Sequence, residues 1–285
     1  MSHAQTVPGL ILAASSSNSG KTTLSLGLQR LLARKGLLVA PAKCGPDYID
    51  PAFHEVASNY SSVNLDPWAM RPSDLVWRSR AQAQGRDILF VEGVMGLFDG
   101  TVGGAGSTAN LAKTLNLPVF LVLDVKGQAQ TAAAIAAGIR DHDRDINIAG
   151  VILNRVGSPM HVSLLREAFD KVGLPVVGTV GQSDTLGLPS RHLGLVQAGE
   201  YSSLGDRIDA IADHMANDVD LDLMLSIATE QSQLATNGQS NCMAPANDDL
   251  LDGLRNDAAA SSPLLRLPPL GQHIAIAKDA AFTFI

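Results

Sequence analysis

Cysteine, aromatic residues and clustered positive charge are all scarce in this chain of 285 residues. Two cysteines, Cys44 and Cys242, build neither a disulfide framework nor a cysteine-based metal centre, and a reduced, cytoplasmic setting is the expectation. Aromatics supply 4% of the residues against a hydrophobic share of 46%, so the core is expected to be aliphatic, as in parallel sheets rich in Val, Ile and Leu. A formal charge of −7 without any Lys/Arg cluster argues against a nucleic-acid partner. The polar start Met1–Pro8 leads into the apolar run Gly9–Ala14, which is too short for a signal or a membrane span. A soluble protein with no membrane partner is expected.

What is present is alternation. Aliphatic runs at Leu10–Ala14, Leu38–Lys43, Ile88–Glu92, Val119–Asp124, Ala149–Asn154 and Val176–Val180 are separated by helical patterns. Strand and helix taking turns predict an α/β fold: a mostly parallel sheet flanked by helices. Helices are predicted at Lys21–Lys35, Ala129–Arg140, His161–Val172 and Tyr201–Ala216. After about Thr229 the composition turns to Gln, Ser, Asn, Asp and Pro, apart from a short helical pattern at Asp248–Arg255. The expected organisation is a domain over 1–228, a linker over 229–272 and the first strand of a further domain in 273–285.

Ser15-Ser16-Ser17-Asn18-Ser19-Gly20-Lys21-Thr22 fits the phosphate-loop pattern, with Ser15 in place of its first glycine. An apolar strand before it and an amphipathic helix after it supply the required context. Backbone amides from Asn18, Ser19 and Gly20 onward, with Thr23 just inside the helix, would cradle the phosphates of ATP. Lys21 would reach the β- and γ-phosphates, and the Thr22 hydroxyl would ligate Mg²⁺. Partitioning ATPases place a lysine four residues before the glycine of Gly-Lys-Thr; Ser16 stands there, which counts against a dimerising switch.

Two further segments surround that loop. Ile88–Glu92 is an apolar strand ending in a carboxylate, followed by Gly93, Gly96, Asp99 and Gly100. A carboxylate ending so apolar a run is costly to bury unpaired, and it most simply serves the metal. Lys43-Cys44-Gly45-Pro46-Asp47-Tyr48-Ile49-Asp50-Pro51 reads as a proline-kinked loop bringing a cation, two carboxylates and an aromatic to the phosphates. Asp47, Glu92 and Asp99 are candidates around one Mg²⁺. Ser107 or Thr108 either caps a helix or helps dock a substrate carboxylate on its N-terminus. Asn154 either meets the adenine edge or closes a turn. His54, His161 and His192 lack metal spacing and read as surface or packing residues.

Together these segments resemble the cobyrinic acid a,c-diamide synthase family. The matching pieces include Lys43–His54, Asn64–Trp68, Val91–Gly100, Gly106–Lys113, Gly150–Gly157 and Leu188–Gly194, with a tail match at His273–Ile285. The wider group contains dethiobiotin synthetases and cobyric acid synthases. The resemblance implies a P-loop NTPase-like, dethiobiotin-synthetase-like fold, and amidation of the a and c carboxylates of cobyrinic or hydrogenobyrinic acid through acyl phosphates. ATP and Mg²⁺ are the implied cofactors. By position, Lys21 and Lys43 would act on the phosphoryl group, with Asp47 and Asp99 also in catalytic roles. Thr22, Asp47 and Glu92 would hold Mg²⁺, while Tyr48, Asp50, Asp99 and Ser107 would face the macrocycle or steer ammonia. The family draws ammonia from glutamine in a C-terminal glutaminase domain, which this sequence is expected to lack, so the chain alone should not hydrolyse glutamine. A homodimer is compatible. Competing readings are an a,c-diamide synthase of a nickel tetrapyrrole, a carboxylase of the dethiobiotin type, a regulatory P-loop ATPase, and a remnant that binds without turnover.

Overall fold

The computed structural model describes residues 7–183 and 203–232. Seven strands form one sheet in the order β3-β2-β4-β1-β5-β6-β7. They are β1 (Gly9–Ala14), β2 (Val39–Cys44), β3 (Val63–Leu65), β4 (Ile88–Glu92), β5 (Val119–Asp124), β6 (Ile148–Val156) and β7 (Val176–Gly181). Every strand pairing is parallel, as the alternating pattern predicts. An isolated antiparallel bridge joins Gly178 to Val219.

Among the described residues eight α-helices flank the sheet: α1 (Lys21–Arg34), α2 (Asp50–Ser58), α3 (Pro72–Ala83), α4 (Thr108–Leu115), α5 (Gln130–His142), α6 (Pro159–Val172), α7 (Leu204–Met215) and α8 (Leu221–Gln231). Side chains alternate across β1. Ile11 and Ala13 join Leu111, Ala132 and Leu165 on one face, while Leu10, Leu12 and Ala14 join Leu28, Ile211 and Met224 on the other. With both faces covered, the strands read as continuous apolar runs rather than alternating ones. That is why six of the seven were legible.

Four elements were not. Edge strand β3 has three residues, too few for a pattern. Helix α3 turns Ser79 and Gln82 inward beside Leu75 and Ala83, which breaks its apolar stripe. Helix α2 occupies what reads as a proline-kinked loop: Pro51 lies in its first turn, where the missing N–H costs nothing. Helix α8 extends to Gln231 within the stretch assigned to the linker from 229. By contacts the chain divides into Met1–Gly238 and Gln239–Ile285. His192, the Leu188–Gly194 segment, Cys242, the helical pattern at Asp248–Arg255 and the strand expected at 273–285 lie outside the described residues.

Candidate active site

In open parallel sheets, ligands gather beyond the carboxyl ends of the strands, and the sequence motifs converge there. The loop after β1 runs into α1 through Gly20, which adopts a left-handed φ of 87°. A Cβ at this position would meet Asn154 Nδ2 at 2.3 Å, so both backbone and space call for glycine. Asn154, two residues before the end of β6, donates from Nδ2 to the Ser19 carbonyl at 2.8 Å. It therefore braces the phosphate loop, a role that neither sequence alternative foresaw. Ser19 Oγ donates to the Ser16 carbonyl at 2.8 Å, so the serines here fix the loop's shape.

The centre of the site is a register pair. Parallel pairing sets Lys43 of β2 directly opposite Glu92 of β4, both on the sheet face covered by α1 and α2. Lys43 Nζ donates to Glu92 Oε1 at 2.9 Å and to the Gly93 carbonyl at 3.2 Å. Helix α1 adds Thr22, whose hydroxyl donates to the same Oε1 at 2.7 Å. Helix α2 adds Asp50, which pairs with Lys43 Nζ at 2.5 Å, and His54, whose Nε2 lies 2.7 Å from Glu92 Oε2. Glu92 and His54 are wholly inaccessible and Lys43 is 3% exposed.

This burial shapes the charges. Desolvation alone would raise the Glu92 carboxyl, but Lys43, His54 and Lys21 hold it well below the usual carboxylate range. Burial would likewise lower Lys43, yet Glu92 and Asp50 keep its ammonium above the ordinary lysine value. Asp50 is pushed up to about 6, first by burial and then by the Glu92 charge, against the pull of Lys43. Lys21 is lowered to about 8 by desolvation, and its Nζ donates to the Met95 carbonyl at 2.9 Å.

The remaining predicted residues are placed as follows. Asp47 Oδ1 accepts from the amides of Ile49 and Asp50 at 2.8 and 3.0 Å, starting α2, while its Oδ2 lies 3.9 Å from Lys43 Nζ. Tyr48 is 63% exposed at the mouth. Asp99 accepts from the Gly96 amide at 3.0 Å, closing its own turn. Ser107 caps α4 by accepting from the Asn110 amide at 3.1 Å, and Thr108 Oγ1 instead clamps Val94 through both N–H and carbonyl. Thr23 lines a pocket with Gly20, Asn154, Arg155, Ile211 and His214, beside the phosphate loop.

His54 is buried rather than on the surface, and it packs with a polar partner, Glu92, that the sequence reading did not foresee. The available signal was its spacing from Asp50, four residues on and thus on the same face of a helix, but only once α2 is recognised as a helix. His161 is elsewhere, its Nε2 at 2.5 Å from the Gln128 carbonyl.

A parallel sheet whose central strand opens into a phosphate loop, beside a strand ending in a buried carboxylate that meets the loop's threonine, defines a P-loop nucleotide-binding protein. The chain belongs to the CobQ/CobB/MinD/ParA nucleotide binding domain family, whose model matches residues 10–196. A hydrogenobyrinate a,c-diamide synthase of Mesorhizobium japonicum is 46% identical over 283 residues, covering 98% of this chain and 59% of its own length. Another of the same name, from a Sinorhizobium species, is 47% identical over 276 residues, covering 97% of this chain and 58% of its own. The chain thus spans just under three-fifths of the length of these relatives. Among solved structures, chloroplast FtsY from Physcomitrella patens shares 19% identity at a TM-score of 0.46, covering 64% of this chain and 61% of that one.

Proposed function

We propose that the chain carries the synthetase chemistry of a hydrogenobyrinate a,c-diamide synthase: ATP- and Mg²⁺-dependent activation of corrin carboxylates for amidation. The observation that carries this reading is the convergence of Lys21, Lys43, Thr22 and Glu92 at the mouth of the phosphate loop. The relatives' shared name supplies the acceptor. Phosphoryl transfer asks a protein for positioning and charge neutralisation, which these groups provide.

The donor set suits Mg²⁺. A threonine hydroxyl and a carboxylate sit 2.7 Å apart, with Asp47 Oδ2 3.9 Å from Lys43 Nζ, which itself bonds that carboxylate. Among the described residues, no group of three or more His, Cys, Asp or Glu forms a cage. Mg²⁺ needs none, because it keeps waters and takes phosphate oxygens alongside one or two carboxylates. Thr22, Asp47 and Glu92 would hold it, and it would supply charge neutralisation on the β- and γ-phosphates.

In the proposed sequence a corrin carboxylate oxygen attacks the γ-phosphorus, and the bond to the bridging oxygen breaks as ADP leaves. Lys21 and Lys43 stabilise the charge spread over the transferring group. Ammonia then attacks the acyl carbon, phosphate departs with its bonding pair, and a nitrogen proton is lost to give the amide. Asn154 and Thr23 adjoin the nucleotide. Tyr48, Asp50 at the start of α2 and the loops carrying Asp99 and Ser107 border the macrocycle. Glutamine is the proposed source of ammonia in the whole protein, and the setting is proposed as cytoplasmic. The proposed organisation remains a synthetase domain followed by a linker and an amidotransferase domain.

The test is phosphate release from Mg·ATP with ammonium chloride, with and without hydrogenobyrinic acid, and with mass spectrometry of the macrocycle. Stimulated release with amide formation, lost in Asp47→Ala and Glu92→Gln, supports the reading. Turnover that ignores the macrocycle, or that responds only to a nickel tetrapyrrole, sinks it.

A further inference from the structure

Helix α2 places two polar side chains against the buried Lys43–Glu92 pair, one turn apart. Asp50 takes the cation and His54 takes the anion. Polar groups at such depth are retained only with partners, and His54 has one on each nitrogen. Nδ1 lies 3.1 Å from Ser62 Oγ, just before β3, and Nε2 lies 2.7 Å from Glu92 Oε2. An ionised Glu92 can only accept, so Nε2 carries the proton that faces it, and in the neutral imidazole Nδ1 is left to accept from the Ser62 hydroxyl. The chain of hydrogen bonds then reads in one direction: Ser62 O–H donates to Nδ1, and Nε2–H donates to the carboxylate.

Glu92 therefore receives three donors: Thr22 and Lys43 on Oε1, and His54 on Oε2. A carboxylate offers about four lone-pair sites. Fixing three of them fixes the plane of the group and leaves one acceptor direction open on Oε2. Hydrogen-bonding partners behind a metal-ligating group set its orientation, and losing one costs about 10–100-fold in metal affinity or activity.

We propose that His54, locked by Ser62, is a positioning residue that orients the Glu92 carboxylate for Mg²⁺, and that metal affinity rather than nucleotide affinity is what it controls. This inference rests on the proposed role of Glu92 as a metal ligand. Two neighbouring facts give it shape. The His54 carbonyl accepts from Ser58 Oγ at 2.8 Å, and Phe53 and Ala57 pack with Leu26 and Ile208, so α2 is anchored independently of the histidine. Removing the imidazole would then free the carboxylate to rotate toward Lys43 without releasing the helix.

The experiment measures binding of the non-hydrolysable analogue AMPPNP to the full chain, first in EDTA and then across a Mg²⁺ titration, with Mn²⁺ binding followed by electron paramagnetic resonance. Wild type is compared with His54→Leu, His54→Gln, Ser62→Ala and Glu92→Gln. His54→Leu is expected to raise the Mg²⁺ midpoint roughly tenfold or more and to weaken Mn²⁺ in step, leaving affinity in EDTA unchanged. Ser62→Ala should move the same midpoint by a few-fold, and His54→Gln, which keeps an N–H donor, should restore most of it. A normal Mg²⁺ midpoint in Ser62→Ala and His54→Leu, with Glu92→Gln weakened, overturns the inference alone. Equal losses in EDTA and Mg²⁺ overturn it too. A normal midpoint in Glu92→Gln removes the metal role of Glu92 and the inference with it. Should His54→Leu fail to fold, Ser62→Ala decides: a shifted midpoint supports the positioning role and an unshifted one overturns it.

Discussion

At the scale of single residues, Glu92 remains ionised in a dry setting because Lys43 stands across the strand pair from it. Buried ion pairs add little net stability, but removing one partner strands the other, at a cost of about 3–5 kcal/mol. Lys43→Met should therefore lower the unfolding free energy from urea titration by about that amount and abolish macrocycle-stimulated ATP turnover. It leaves Asp50 and Glu92 as two carboxylates without their shared cation. Adding Asp50→Asn should recover about 1–2 kcal/mol, a non-additivity typical of residues in one network. Strictly additive losses in the double variant would show that the three groups are not coupled. Lys21, Thr22 and Gly20 were legible as a motif because local sequence alone builds a phosphate loop. Thr22 and Lys43 were read as sharing the phosphate site with Glu92, but their direct bonds to it, and the approach of His54, were not legible, since the three come from segments joined only by folding.

At the scale of elements, β2 carries opposite chemistry on its two faces. Lys43 points toward α1 and α2, while its neighbour Cys44 points into the aliphatic core on the other side, fully inaccessible. Burial pushes the Cys44 thiol up to about 11 from its ordinary value of 9.0. The sign follows from linkage: the folded state holds this proton more tightly, so the group's contribution is intact below pH 9 and lost as pH rises through 11. Urea unfolding should show stability falling between those limits by about 2–3 kcal/mol from this group. Cys44→Ala should flatten that alkaline limb, and an equally steep fall in the variant would assign it to other groups. The legible elements were those with a continuous apolar run or a clean stripe. Helix α2 was hidden by prolines that mark loops elsewhere, and α3 by buried Ser79 and Gln82, whose partners are tertiary: Gln82 Nε2 donates to the carbonyls of Pro41 and Ser61 at 2.9 and 2.7 Å.

At the scale of the whole molecule, the phosphate loop is tied to distant parts of the chain. Asn154 braces it from β6, and Met215 of α7 fills the space left by Gly27 of α1, where a Cβ would lie 2.5 Å from its sulfur. Nucleotide bound at such a junction should stabilise the described core as one unit. Mg·AMPPNP at a hundredfold its Kd is expected to add about 2.7 kcal/mol. The midpoint of thermal unfolding should then rise by about 5–10 °C in calorimetry. An unshifted midpoint with proven binding would show that the nucleotide contacts a part that unfolds separately.

The order of residues by itself determines the alternating architecture, the aliphatic two-faced sheet and the nucleotide loop, because apolar runs and the Gly-Lys-Thr turn act within a few residues. Only the tertiary structure decided what surrounds the phosphate end. Parallel register set Lys43 opposite Glu92, and α2 brought Asp50 and His54 onto that pair from positions whose sequence suggested a loop. Asn154 was drawn from β6 into bracing the loop. The physical reason is common to all of them. A buried polar group must find a partner wherever the fold offers one, and that partner is chosen by strand order and register rather than by neighbours along the chain.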